Sequence, residues 1–148
     1  MRDLRIRLRQ AGELRNVSDR LSLEVPAAAA AVPGARRAIT RLCEHLGLAG
    51  ELTDRIRLAV TEACTNCVLH AYGDATTATF AVEARVDGDW LLLVVRDYGD
   101  GMTPGRHRGD TLKLGLHLIE ELADSASVST RPGRGTRVAM RFAIQPAA

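Results

Sequence analysis

The stretch Leu52–His70, LTDRIRLAVTEACTNCVLH, constrains this chain most, because its spacing predicts a long helix with one apolar side. At 3.6 residues per turn, Leu52, Ile56, Ala59, Val60, Ala63 and Cys67 fall together and need a core to lie on. Glu62 and Asn66 are four apart, so they sit one turn above the other, about 40° around the axis, at the edge of that side. By itself such a pair is ordinary on a solvated helix. Its place in a longer order makes it a candidate site. Asp97-Tyr98-Gly99-Asp100-Gly101 follows an apolar strand, Leu114-Gly115-Leu116 opens a later helix, and Gly133-Arg134-Gly135-Thr136 precedes a last strand.

The remaining periodicities supply that core. Residues 20–25 alternate as a strand, and 35–46 read as a helix closed by Gly47. The long helix ends near Tyr72-Gly73. Residues 77–86 and 90–96 form a hairpin about Asp87-Gly88, and the scant alternation of 90–96 predicts a strand covered on both faces. The glycine-rich stretch 98–112 reads as a loop able to close over a ligand. A helix over 113–124, with Leu114, Leu118, Ile119 and Leu122 inward, leads to a second hairpin of 126–130 and 136–144 around Pro132-Gly133. Strands on one side and helices on the other give an α+β two-layer sandwich, its sheet mixed but mostly antiparallel. Residues 1–19 lack periodicity and carry Arg2, Arg5, Arg7, Arg9 and Arg15, so they read as a basic arm before one domain over 20–148.

Composition narrows the classes further. A net charge of +2 gives no electrostatic case for direct nucleic-acid binding. No apolar run reaches the roughly 20 residues that cross a bilayer, and the N-terminal stretch lacks a signal-peptide core, so a cytoplasmic protein is expected. Cys43, Cys64 and Cys67 are an odd set without a disulfide framework. Cys64 and Cys67, with His70 beyond, match a metal or redox spacing. They lie mid-helix, without a fourth ligand or a helix N-terminus, and read as small core residues.

The four boxes resemble those of the ATP-binding fold of the gyrase, Hsp90, histidine kinase and MutL superfamily, and within it the bacterial anti-sigma factor serine/threonine kinases. The span Glu62–Tyr72 is similar to the N box, Asp97–Gly101 to the first glycine box, Leu114–Leu116 to the second and Gly133–Thr136 to the third. The resemblance covers about residues 20–144 and implies a fold of the Bergerat (histidine kinase-like ATPase) type. It implies ATP and Mg2+, with Asn66 as metal ligand through one amide oxygen, phosphate oxygens and water completing the octahedron. Asp97 would accept the adenine amino group, which guanine lacks at that position. Gly99 and Gly101 would let the backbone turn beneath the base. Gly115, with Leu116, would bring helix amides to the phosphates, and Gly133, Gly135 and Thr136 would close the site. Glu62 would be the catalytic base that takes the proton of an incoming hydroxyl.

One departure stands out. The family usually has Gly-Leu-Gly-Leu at the second box, and here Lys113, the only lysine of the chain, replaces the first glycine. Lys113 either touches a phosphate or is solvated on a looser lid. By resemblance the protein is a serine/threonine kinase acting as an anti-sigma factor in a partner-switching pathway. Its partners would be a sigma factor and a STAS-type anti-sigma antagonist as substrate, with a homodimer expected. The alternative is a non-catalytic ATP-binding module that sequesters a protein partner.

Overall fold

The computed structural model describes residues 20–70, 78–98, 109–131 and 135–144. Within them the chain runs β1 (Arg20–Pro26), α1 (Val32–His45), α2 (Gly50–His70), β2 (Thr79–Asp87), β3 (Trp90–Asp97), α3 (Gly109–Leu122), β4 (Ser125–Arg131) and β5 (Gly135–Ala143). The strands form one sheet in the order β1-β2-β3-β5-β4, every pairing antiparallel. The expected α+β two-layer sandwich is thus observed, and its sheet is antiparallel rather than mixed. The basic arm lies outside the described residues, as do Gly99, Gly101, Gly133 and most of the loop over 98–112.

Two helices begin earlier than their periodicity predicts. Helix α1 starts at Val32 because Pro33 occupies its first turn, where a missing N–H costs nothing. It ends at a glycine cap: Gly47 takes φ 68, the Leu48 N–H reaches Cys43 O at 3.1 Å, and the Gly47 N–H reaches Glu44 O at 3.0 Å. Helix α3 starts at Gly109, four residues ahead of the expected start at Lys113.

Alternation puts Leu21, Leu23, Val25, Phe80, Val82, Leu91, Leu93, Val95, Val138, Met140 and Phe142 on one sheet face, all buried. Helix α2 lies on that face through Ile56, Ala59, Val60, Ala63 and Cys64, all fully buried. The small side chains among these bring its backbone near the strands.

The other sheet face corrects the sequence reading of β3. Leu92 and Val94 are half-buried and have no second layer over them among the described residues. With Ala139 they floor a groove of about 530 Å³, edged by Arg85, Arg137 and Arg141. Arg141 also stacks 4.1 Å over the Trp90 ring. Long arginine stems shield these apolar side chains, which explains the weak alternation without a covering element. The groove is on the sheet face opposite the one that buries Asp97 and carries the helices.

Candidate functional site

Three elements converge where α2, α3 and the end of β3 meet. On α2, Asn66 is 8% exposed, one turn beyond the half-buried Glu62. Gly115 on α3 is buried against Asn66. A Cβ added there would stand 2.7 Å from Nδ2 and 3.1 Å from Oδ1 of Asn66. Glycine at 115 is therefore required by the close approach of the two helices. The Asn66 Nδ2 is buried and makes no hydrogen bond among the described residues. A buried amide left so costs roughly 1–3 kcal/mol, a cost that a polar ligand would remove.

At the end of β3, Asp97 is 5% exposed and its Oδ1 accepts the Thr136 N–H at 3.0 Å. Gly135, at φ 85, makes this possible: a Cβ there would collide with the Asp97 carbonyl oxygen and lie 2.9 Å from Oδ1. The Thr136 hydroxyl donates to Thr130 Oγ1 at 3.3 Å, tying the start of β5 to β4. A carboxylate has two oxygens and about four acceptor directions, so one fixed by a backbone N–H is oriented to accept from a ligand amino group as well.

Gly115 lies in the middle of α3, which spans Gly109–Leu122, and rests there on Asn66, so it does not open the helix as its spacing predicts and its N–H is not one of the free N-terminal amides. At the far end Arg55 Nη1 of α2 donates to Leu122 O at 3.3 Å, placing a cation on the terminal carbonyls. Sequence reading missed Arg55, since nothing in the local pattern pairs it with a carbonyl 67 residues away. It also missed the burial of Asn66. Leu116 is half-buried against the core, and Lys113 lies in α3 with its side chain outside the described residues. His117 is exposed, 3.9 Å from Glu120.

All three cysteines are free and buried. Burial pushes the Cys64 thiol up to about 12. Burial also pushes Cys43 up to about 11, against opposing hydrogen bonds from its own backbone N–H and Thr53. Cys67 is raised by burial first and then by the charge of Asp97, which puts it beside the carboxylate. All three are inert thiols, and Cys67 lies beside the site.

Magnesium takes six oxygens in near-octahedral geometry and keeps several waters. Asn66 would offer one such oxygen, Oδ1, while its buried Nδ2 is a donor suited to a phosphate oxygen and not to a cation, and no group of three or more His, Cys, Asp or Glu among the described residues is placed to hold a metal. An ion here would therefore arrive with phosphate oxygens rather than sit in a protein cage.

Comparison with known proteins agrees with this geometry. Residues 25–142 match the histidine kinase-like ATPase domain family. The chain is 31% identical over 130 residues to the serine-protein kinase RsbW of Bacillus velezensis, covering 78% of this chain and 81% of the relative. It is 30% identical over 106 residues to the anti-sigma F factor of Pasteuria penetrans, covering 64% and 70%. The fold is similar to that of the RsbU and RsbW domains of a Mycobacterium tuberculosis protein, with a TM-score of 0.70 and 22% identity, covering 86% of this chain and 33% of that longer one. It is also similar to a blue-light activated histidine kinase of Erythrobacter litoralis, with a TM-score of 0.56 and 21% identity, covering 80% and 61%. The chain belongs to the histidine kinase-like ATPase family, and within it to the group formed by the RsbW serine-protein kinases and the anti-sigma F factors.

Two outcomes follow from the site's packing. Gly115→Ala meets only a side-chain amide, so the protein should fold while Asn66 is displaced and nucleotide affinity drops by about tenfold or more. Gly135→Ala meets backbone at a positive φ and should cost several kcal/mol of stability, read by denaturant titration of both variants. The thiols give a pH signature. Cys43 and Cys64 titrate higher when folded than the 9.0 of a free thiol, so the native state binds those protons more tightly. Their contribution is fully present below pH 9 and is lost as pH rises through about 11 and 12. The urea midpoint should fall over that window, and less steeply in the Cys43→Ala/Cys64→Ala protein.

Proposed function

We propose that the protein is an ATP- and Mg2+-dependent protein serine/threonine kinase acting in the cytoplasm as an anti-sigma factor. It binds a sigma factor and phosphorylates a STAS-type anti-sigma antagonist, and it acts as a homodimer. The observation that carries this reading is the orphaned Asn66 amide beneath Gly115, one helical turn from Glu62. In it Asp97 accepts the adenine amino group, with Gly135 and Thr136 beside it. Asn66 would hold magnesium through Oδ1, and the ion would supply positive charge beside the phosphates. Glu62 takes the proton of the acceptor hydroxyl as its oxygen bonds to the terminal phosphorus and the bond from that phosphorus to the bridging oxygen breaks, releasing ADP. No helix among the described residues is long and apolar enough to cross a membrane.

A second reading, an ATP-dependent binding module without transfer, rests on Lys113 in place of the usual first glycine of the second box. Two variants separate the readings. Asparagine at 97 has one acceptor oxygen, which the Thr136 N–H claims, so its amino group meets the adenine amino group donor to donor. Asp97→Asn should therefore weaken ATP binding by roughly 1–3 kcal/mol, measured by calorimetry. Glu62→Gln keeps its size but cannot take a proton. It should bind ATP as wild type does while phosphate transfer to an antagonist drops about 100-fold or more. Equal transfer by both proteins would remove Glu62 from the chemistry. A wild type that binds an antagonist but never phosphorylates it would favour the binding module.

A further inference from the structure

Large apolar side chains are rarely left in water on this molecule. Among the described residues only Leu58, Leu69 and Tyr98 are exposed, at 44%, 57% and 59%. Single exposed leucines need no explanation. Here, however, both exposed leucines share one helix and one stripe. At 100° per residue, Leu58, Glu62, Thr65 and Leu69 lie within about 60° of one another around α2 and span about 16 Å along it. Asn66 falls about 40° beyond Glu62, on the flank that packs against Gly115 of α3. The stripe therefore runs along the open lip of the candidate site, with the carboxylate between two leucines.

We propose that this stripe is the docking surface for the phosphoacceptor segment of the protein substrate. This rests on the kinase reading above, in which an acceptor hydroxyl must come within hydrogen-bond reach of Glu62. Glu62 is about 6 Å along the axis from Leu58 and about 10 Å from Leu69. A polypeptide that brings a hydroxyl to Glu62 along α2 must cross both. The occupant is thus a segment with an apolar side chain on each side of its serine or threonine. In extended chain, at about 3.3 Å per residue, these stand roughly two and three positions from the acceptor. The leucines bury against that segment and hold the hydroxyl over the carboxylate, so they act on substrate affinity and not on the transfer step.

The test uses the full chain and a purified STAS-type antagonist that it phosphorylates. Both leucines are exposed, so Leu58→Ser/Leu69→Ser should leave the thermal midpoint and the Kd for ATP unchanged. It should raise KM for the antagonist about tenfold or more, with kcat at saturating antagonist retained. Leu58→Met/Leu69→Met should restore the wild-type KM. An unchanged KM in the serine variant overturns the proposal, as does a loss confined to kcat. Loss of sigma-factor binding with KM intact overturns it too and assigns the stripe to the sigma factor. If wild type transfers and only this KM pattern fails, the kinase reading stands without the docking stripe. A wild type that neither binds nor phosphorylates an antagonist overturns both.

Discussion

Asn66 is a polar side chain buried between two helices with its amide nitrogen unsatisfied among the described residues, and the rest of the fold is arranged to keep it there. Helix α2 must lie tight on the sheet, which the small buried residues Ala59, Ala63, Cys64 and Cys67 permit. Helix α3 must then approach α2 without a Cβ at its crossing point, which Gly115 permits. Its far end must not swing away, and Arg55 holds Leu122 O from the facing helix. An orphaned amide in such a position is costly, so its persistence points to a ligand. The same economy governs the sheet end of the site. There Gly135 gives up side-chain contact so that the Thr136 N–H can orient a buried carboxylate.

The layout divides labour between the faces of one helix. The inner face of α2 is nearly all aliphatic or thiol and supplies stability. The flank toward α3 carries Asn66 and Arg55, and the outer stripe carries Glu62 between two exposed leucines. Cys64 and Cys67 belong to the first of these faces, and Cys43 is buried on α1. Burial raises their pKa values and removes thiolate at neutral pH, so a spacing that resembles a redox motif serves packing instead.

Much of this was legible in the sequence. The period of Leu52–Cys67 placed α2 and its core side, and the two hairpins were marked by turn residues between alternating strands. The long-range pairings were not legible. Arg55 finds Leu122 O, and Thr136 finds Asp97, only once the sheet order puts β5 beside β3. Leu92 and Val94 read as doubly covered because periodicity reports hydrophobicity and not what shields it, and here arginine stems flank them. Helix α3 begins before its hydrophobic period does, because periodicity registers only the turns that face the core. Asn66 was placed at the edge of the apolar face. That it is buried follows from Gly115, whose partner only the fold reveals.

The side-chain amide of Asn66 also offers the most direct measurement. In 15N-resolved spectra of the full chain, with Asn66→Ala used for assignment, that resonance should shift on titration with ATP and magnesium. It should respond at much higher concentration to GTP, and less to ATP without the ion. An Asn66 amide that stays fixed while ATP binds, or that responds equally to ATP and GTP, would contradict the account.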